Sequence, residues 1–332
     1  MAERRIFSGM RPSGRLHLGN YFGALANWVR LQDEGYECIY SVADVHALTT
    51  LQGTEEVAEI QPNIRDMVLD WLAAGLDPTK TIMFVQSDVP EVMMLHTLLS
   101  MSTPLGWLMR VPSFKERVRQ MGEDEEHIPY GLVGYPVLQT ADVILYKATG
   151  VPVGTDQVPH IELMREIARR FNRLYGDTFP EPEALLTETP MILGTEGQAK
   201  MSKSLDNHIV LAASDDETSK RVRTMVTDPQ RQRLTDPGRP EVCNVFSLHK
   251  IFNPDKLDEI HQQCTTAGIG CVDDKQTLAD GINRYLAGFR ERRRELAANP
   301  GAVDEILASG AARAQAIAKE TMAEVYQRMG LA

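Results

Sequence analysis

Cysteine is scarce in this chain, with four in 332 residues, at Cys38, Cys243, Cys264 and Cys271. That number does not suggest a disulfide-stapled secreted fold. Long apolar runs are missing: none approaches the roughly 20 residues that a membrane-spanning helix needs. The opening Met1-Ala-Glu-Arg-Arg-Ile-Phe runs directly into a strand-like segment, without the pattern of a secretory leader. The expectation is a cytoplasmic protein with no membrane role. Internal repeats and low-complexity stretches are also absent. Positive charge is in short supply, 35 Lys and Arg against 46 Asp and Glu for a net charge of −11, which at first argues against a nucleic-acid partner.

The overall balance, 43% apolar and 24% charged, is that of an ordinary globular protein, and 332 residues suffice for one large core and a smaller second unit. Strand and helix signals alternate in the first half. Ile6-Phe7-Ser8 is short and apolar, and Gly9, Pro12 and Gly14 then mark a loop. Tyr21, Leu25, Trp28 and Val29 recur at helical spacing until Gly35. Cys38 to Ala43 is strand-like, and a helix starting at Thr54 has Ile60, Ile64, Met67, Val68 and Trp71 as its buried stripe. Thr81 to Gln86 reads as a strand, Leu132 to Tyr146 as a helix, Val151 to Val153 as extended and Gln157 to Phe171 as a helix. Strands separated by helices imply an α/β fold whose parallel sheet is covered on both faces and binds ligands beyond the carboxyl ends of its strands. Beyond about Leu205 β-rich runs disappear and helical periodicity takes over, as in Ile282, Leu286 and Phe289. The expected division is 1–204 and an α-helical 205–332, with the last helix folding back on the first unit.

Charge is unevenly spread. Residues 220 to 240 hold Lys220, Arg221, Arg223, Arg231, Arg233 and Arg239 against only Asp228 and Asp236. A second cluster is Arg284, Arg290, Arg292, Arg293 and Arg294, opposed by Glu291. Such patches on an acidic body can hold RNA locally; they can equally be solvated helix faces.

Two segments carry phosphate chemistry. Pro12-Ser-Gly-Arg-Leu-His-Leu-Gly-Asn20 lies between the first strand and the first long helix, where free backbone N–H groups and the helix dipole suit an anion. Gly19 lets a flat ligand approach the backbone, and His17 and Asn20 supply donors. Lys200-Met-Ser-Lys-Ser204 lies in an aperiodic stretch with Gly194 and Gly197. Its two lysines can neutralise charge on a leaving pyrophosphate. Either segment alone would be a weak signal. Tyr135, Gln139 and Asp142 are spaced i, i+4, i+7, so one face of an otherwise apolar helix presents all three. A carboxylate there is costly unless it meets a donor, and an indole N–H is such a donor.

The two segments, in this order and separation, resemble the signatures of class I aminoacyl-tRNA synthetases. Phe7-Ser-Gly-Met-Arg-Pro-Ser-Gly14, Val42-Ala-Asp-Val-His-Ala-Leu-Thr49, Tyr135-Pro-Val-Leu-Gln-Thr-Ala-Asp142 and Val151-Pro-Val-Gly-Thr-Asp-Gln157 extend the resemblance, over nearly the entire chain, to the bacterial tryptophanyl-tRNA synthetases. That likeness implies a Rossmann-like catalytic domain, a helical anticodon-binding domain and a homodimer bridged by tRNA(Trp). It implies L-tryptophan and ATP with Mg²⁺ as substrates of a two-step reaction through tryptophanyl-adenylate. His17, Asn20, Lys200 and Lys203 would be its catalytic groups. ATP would be bound by Arg11, Pro12, Ser13, Gly19, Asn20, Gly154, Thr155, Asp156, Ile192 and the segment Lys200, Met201, Ser202, Lys203, Ser204. Tryptophan would meet Phe7, His46, Tyr135, Gln139, Asp142, Val153 and Gln157, with Asp142 reading the indole nitrogen. Two positions depart from common family choices: Arg11 stands where some members have glutamine, and Gln139 where many have methionine.

The late cysteines resemble a subset of that family that holds a [4Fe–4S] cluster on four thiolates. Cys243, Cys264 and Cys271 match three of them, and Asp274 occupies the fourth place. A cluster on three thiolates and a carboxylate, and a cluster-free packing of three thiols, both stand as readings. Rival functions are a tyrosyl-tRNA synthetase, in which Asp142 would accept a phenol O–H, an adenylyltransferase of the same superfamily, and a non-catalytic paralogue that binds RNA or protein. The Arg221/Arg223/Arg231/Arg233 cluster is the expected tRNA contact.

Overall fold

The computed structural model describes residues 4–51, 53–112, 114–115, 118, 127–186 and 191–332. Five strands, β1 (Arg5–Met10), β2 (Glu37–Val42), β3 (Thr81–Val85), β4 (Gly150–Val153) and β5 (Glu183–Leu186), form a sheet in the order β3-β2-β1-β4-β5. Every pairing is parallel, and β1 runs beside β2 from Arg5↔Glu37 to Met10↔Val42. The inner strands are apolar on both faces because both are covered: Ile6, Ile39 and Tyr40 are fully buried. Strand order reverses at β1, with β2 on one side and β4 on the other, so the crevice beyond the ends of β1 and β4 is where an open α/β sheet binds its ligand.

Ten helices of eight residues or more are labelled among the described residues. In the first part these are α1 (Ala26–Asp33), α2 (Ile60–Ala74), α3 (Glu91–Ser100), α4 (Tyr130–Ile144) and α5 (Val158–Tyr175). The later part holds α6 (Asp215–Arg223), α7 (Asn244–Phe252), α8 (Leu257–Thr265), α9 (Cys271–Ala297) and α10 (Pro300–Met329). The buried stripe anticipated for α2 is present, with Ile60, Ile64, Met67, Val68 and Trp71 all in the core. Trp28 stacks on Tyr40 and meets Trp71 edge-on. The same apolar cluster continues into Leu278, Ile282, Leu286 and Phe289 of α9, so the helical C-terminal region shares a core with one face of the sheet. α10 returns to cover the free edge at β3. A Cβ on Gly310 would come within 1.8 Å of the Met83 carbonyl oxygen, so only glycine permits this approach.

One strand was not anticipated. β5 is short and half exposed, with Glu183 and Leu186 facing solvent, and Pro180 and Pro182 precede it. Neither alternation nor a continuous apolar run marks it, and only pairing with β4 makes it a strand. Among the described residues no helix is long and apolar enough to cross a membrane.

Candidate active site

A cavity of about 680 Å³ opens at the strand-order reversal. Its walls come from the end of β1 (Phe7 to Arg11), the end of β4 (Val151 to Gly154), and one face of α4. Tyr135, Gln139 and Asp142 all line it, as their helical spacing required, and Phe7, His46, Val153 and Gln157 complete the expected amino-acid set. Asp142 is only 5% exposed. Its Oδ2 lies 2.8 Å from His46 Nε2 and its Oδ1 accepts a 2.8 Å hydrogen bond from Gln86 Nε2. Gln86 Oε1 in turn accepts the His46 backbone N–H at 3.3 Å, which closes a ring of three residues from α4, the end of β3 and the turn after β2. The carboxylate is therefore fixed in orientation before any ligand arrives, and each oxygen retains a lone pair for a further donor.

Gln86 was not singled out from sequence. It follows the apolar strand β3, which by itself is an ordinary position, and its burial emerges only from the fold. His160 of α5 was missed as well. Its Nε2 lies 2.9 Å from the Tyr135 hydroxyl, and burial lowers its basicity, so it meets that hydroxyl as a neutral ring.

The phosphate half is built differently. His17, 5% exposed, opens the short helix Leu18–Asn20, and Asn20 Oδ1 accepts the His17 backbone N–H at 3.1 Å. The segment after Lys200–Ser204 pairs with this loop. The Leu18 N–H bonds the Ile209 carbonyl and the Leu211 N–H bonds the Leu16 carbonyl, both at 3.0 Å, around a β-bridge between His17 and Val210. Two signatures far apart in the chain thus become one surface. Gly19 eases that closeness, because a Cβ there would stand 3.0 Å from the His17 ring and 3.3 Å from Met201 Cβ, tight enough that a neighbour would have to give. The expected reason for Gly19 was access for a ligand; the contact seen is between the two signatures.

Lys203 Nζ donates to the Gly14 carbonyl at 2.5 Å. Burial pulls its pKa down to about 8, while Asp70 and Asp66 oppose the fall. Burial, then Lys203, His208 and Lys200, pull His17 down to about 3, so it is a neutral ring at pH 7. Lys200 is exposed. Ser202 and Ser204 bond each other through their hydroxyls at 2.8 Å, and Asn207 and Glu196 lace the loop from beneath through Ser202 N–H and Ala199 N–H. Of the expected ATP set, Arg11 and Gly154 line the cavity. Pro12, Met201 and Ile192 are buried, and the Met201 N–H bonds the Ile192 carbonyl at 2.9 Å. Ser13, Thr155 and Asp156 are exposed and are not among the lining residues, and Asp156 Oδ2 accepts from Gln157 at 2.8 Å.

The basic patches prove to be largely internal ties. Arg221 donates to the His208 carbonyl at 2.9 Å and holds Asp206 through both its carbonyl and its carboxylate. Arg231 bonds the Ile269 carbonyl at 2.6 Å, and Arg239 pairs with buried Asp228 at 2.6 Å, holding that carboxyl down to about 2. In the second cluster Arg290 ties α9 to Asp215 and Thr218, and Arg292 bonds the Ala73 carbonyl at 2.8 Å. Arg223, Arg233 and Arg284 remain exposed.

The structure gives no support to an iron–sulfur centre, although Cys243 and Cys264 each lie within electrostatic reach of Cys271 and Asp274. Asp274 is buried with its Oδ1 3.1 Å from His249 Nε2, and Asn253 holds the other nitrogen of that ring at 2.9 Å. Cys264 lies against Gly238 and beside Arg231, and Cys243 is buried with its thiol acidity suppressed by burial. Among the described residues no three His, Cys, Asp or Glu side chains are placed to hold a metal ion. The carboxylate expected as fourth ligand is already committed to an imidazole.

Residues 2–287 match the family model of class I tRNA synthetases for W and Y. The chain is 47% identical to a tryptophan–tRNA ligase of Thermotoga maritima, over 98% of this chain and 99% of that one. It is 42% identical to a tryptophan–tRNA ligase of Aquifex aeolicus, covering 98% of this chain and all of the relative. Among solved structures, the tryptophanyl-tRNA synthetase of Campylobacter jejuni complexed with ADP and tryptophan superposes with a TM-score of 0.87 at 38% identity, over 98% of this chain and 100% of that one.

Proposed function

From the premise that the chain belongs to the class I tRNA synthetases of the tryptophan and tyrosine type, we propose that it joins L-tryptophan to tRNA(Trp) in the cytoplasm at the expense of ATP. The 38–47% identity to tryptophan–tRNA ligases favours tryptophan over tyrosine, and Asp142 is the observation that accounts for a side chain with a donor. A carboxylate held rigidly by His46 and Gln86 in an apolar-walled cavity accepts an indole N–H without reorganising. A competitor lacking that donor would leave the acceptor unpaired, a discrimination of about 10⁴ to 10⁵ in favourable cases.

In the first step the tryptophan carboxylate attacks the α-phosphate of ATP, giving tryptophanyl-adenylate and pyrophosphate. The nucleophile is already ionised, so the protein positions and stabilises charge. Mg²⁺ enters as the counter-ion of ATP, held mainly by phosphate oxygens. Lys200 and Lys203 counter the charge of the departing pyrophosphate, and neutral His17 donates a hydrogen bond from beneath. Tyr135, Gln139 and Gln157 orient the α-amino group, and Gly154 and Asp156 face the ribose. In the second step a terminal ribose hydroxyl of the tRNA takes the aminoacyl group. We assign residues 1–204 to catalysis and 205–332 to tRNA, with exposed Arg223 and Arg233 as contacts in place of Arg221 and Arg231. A homodimer fits the exposed Met94, Met101, Leu105 and Tyr130, large apolar side chains that a monomer leaves in water.

ATP–pyrophosphate exchange tests the reading. Exchange driven by tryptophan and not by tyrosine is the expected result. Exchange driven by tyrosine alone would overturn it, and none with either would favour the non-catalytic paralogue.

A further inference from the structure

The segment Val42-Ala-Asp-Val-His-Ala-Leu-Thr49 holds one carboxylate that neither half of the site uses. Asp44 is 8% exposed and opens the short helix Asp44–Ala47, which carries His46. His46 lines the cavity and Asp44 does not. A carboxylate buried away from the reacting groups is costly unless donors reach it.

The sheet brings those donors. β2 and β3 run parallel, and their last paired residues are Val42 and Val85. Continued for two residues, that register sets Asp44 opposite Ser87. Both strands have ended there: the chain enters the short helix after β2 and the single turn Gln86–Asp88 after β3. Asp44 Oδ1 accepts the Ser87 N–H at 3.0 Å and, at the same distance, the Val45 N–H. One carboxylate oxygen thus extends the strand pairing by a further rung and clamps the two turns together. What the clamp spaces is the grip on Asp142. His46, two residues after Asp44, holds Asp142 Oδ2 at 2.8 Å, and Gln86, the residue before Ser87, donates to Asp142 Oδ1 at 2.8 Å. The turn bearing Gln86 has other supports, since the Val89 N–H closes it on the Gln86 carbonyl at 3.1 Å and Gln315 of α10 donates to the Asp88 carbonyl at 2.6 Å. Removing Asp44 therefore loosens the spacing between the turns and leaves each turn formed.

We infer that Asp44 is a positioning residue for tryptophan recognition: by clamping the two turns it sets the spacing of His46 and Gln86, and through them the orientation of the carboxylate that reads the indole. It touches no substrate. Without the clamp Asp142 is still an acceptor of the same charge, and the cavity keeps its walls. What is lost is direction. A ligand with an N–H at the right place then gains less over one of the same shape that lacks it. The phosphate half, built on Gly14, His17 and Lys203, contains none of these contacts and is expected to work as before.

This role rests on Asp142 reading the indole N–H, as proposed above, and one set of measurements separates the two. ATP–pyrophosphate exchange per titrated active site is followed with tryptophan and with its benzothiophene analogue, in which sulfur replaces the N–H. The full-length chain is compared with Asp44→Ala, Asp44→Ser, Asp44→Asn, Gln86→Leu and Asp44→Ala/Gln86→Leu. Asp44→Ala is expected to raise KM for tryptophan about tenfold, the scale of losing hydrogen bonds to a charged group, with kcat and KM for ATP within about twofold. The preference for tryptophan over the analogue should shrink by the same factor, since only a donor feels the direction of Asp142. Serine places its oxygen one bond nearer the backbone, short of the Ser87 N–H. It is expected to behave as alanine does and keeps the test open if the alanine variant does not fold. Asparagine retains the Oδ1 acceptor and should hold KM for tryptophan within about twofold of the unaltered protein. In the double variant the rise in KM should not exceed that of the worse single variant, because both changes act on one carboxylate. Equal loss of tryptophan and analogue in the alanine and serine variants marks a general distortion and overturns the role. An unmoved KM in them, an asparagine variant as impaired as alanine, or multiplied effects in the double variant overturn it too. If the unaltered chain shows no preference for tryptophan over the analogue, the reading of Asp142 falls first and takes this role with it.

Discussion

The two halves of the site are made in opposite ways. The amino-acid half is assembled on regular elements, one face of α4 and the ends of β1, β3 and β4, and its polar groups are already paired with one another. The phosphate half is assembled from two loops far apart in the chain, joined by backbone pairing at His17 and Val210 and by Lys203 on the Gly14 carbonyl. Specificity needs a rigid acceptor, so it sits on a scaffold. Charge that changes during reaction needs cations that can follow it, so those sit on loops. The difference predicts where substitutions act: on tryptophan in the first half, on catalytic rate in the second.

The largest effect should come from Asp142→Ala. It leaves His46 and Gln86 without their acceptor and the indole N–H without a partner, and kcat/KM for tryptophan should fall at least 10³-fold, with KM for ATP nearly unchanged. Equal losses for both substrates would erase the distinction between the halves. Lys203→Ala comes next, with a fall of about 10² to 10³ in kcat, as for loss of one charge-stabilising donor, and little change in tryptophan affinity. In the unaltered protein the same lysine should make kcat decline as pH rises through about 8, while His17, held near 3, contributes no limb between pH 5 and 8. Pre-steady-state adenylate formation across pH reads both. Gln86→Leu keeps the volume but frees one oxygen of Asp142 and the His46 N–H; a roughly tenfold rise in KM for tryptophan, measured by exchange, is expected. The smallest effect is assigned to Arg221→Ala. Asp206 follows the lysine-rich loop with φ of +46°, an unusual conformation for a non-glycine residue, and Arg221 pins it there. Releasing it should lower kcat a few-fold and leave KM for tryptophan alone; a selective loss of tRNA charging with adenylation intact would instead restore Arg221 as an RNA contact.

Much of the amino-acid half was legible beforehand because helical periodicity is a local property. Tyr135, Gln139 and Asp142 share a face whatever surrounds them, and the cavity lies on that face. Gln86 and His160 were not legible, since nothing in β3 or α5 marks one polar residue as the partner of another more than twenty positions away. The basic clusters misled for the same reason. Charge density along the chain is visible, but whether Arg221 or Arg231 meets solvent or a carbonyl of its own chain depends on packing. Asp274 repeats the lesson: the resemblance put it in a ligand's place, and its burial against His249 gives it another partner.

By itself, then, the sequence determined the alternation of strands and helices, the helical character of the later half, and the chemistry of each signature, because periodicity, turn residues and side-chain type act over a few neighbours. Tertiary structure alone decided the strand order that opens the cavity, the pairing of His17 with Val210 that makes two loops one surface, and the reach of Arg293 to Asp66 and Asp70. Each of these joins residues that are distant along the chain, and only burial of a shared core, with the buried charges that core must satisfy, brings them together.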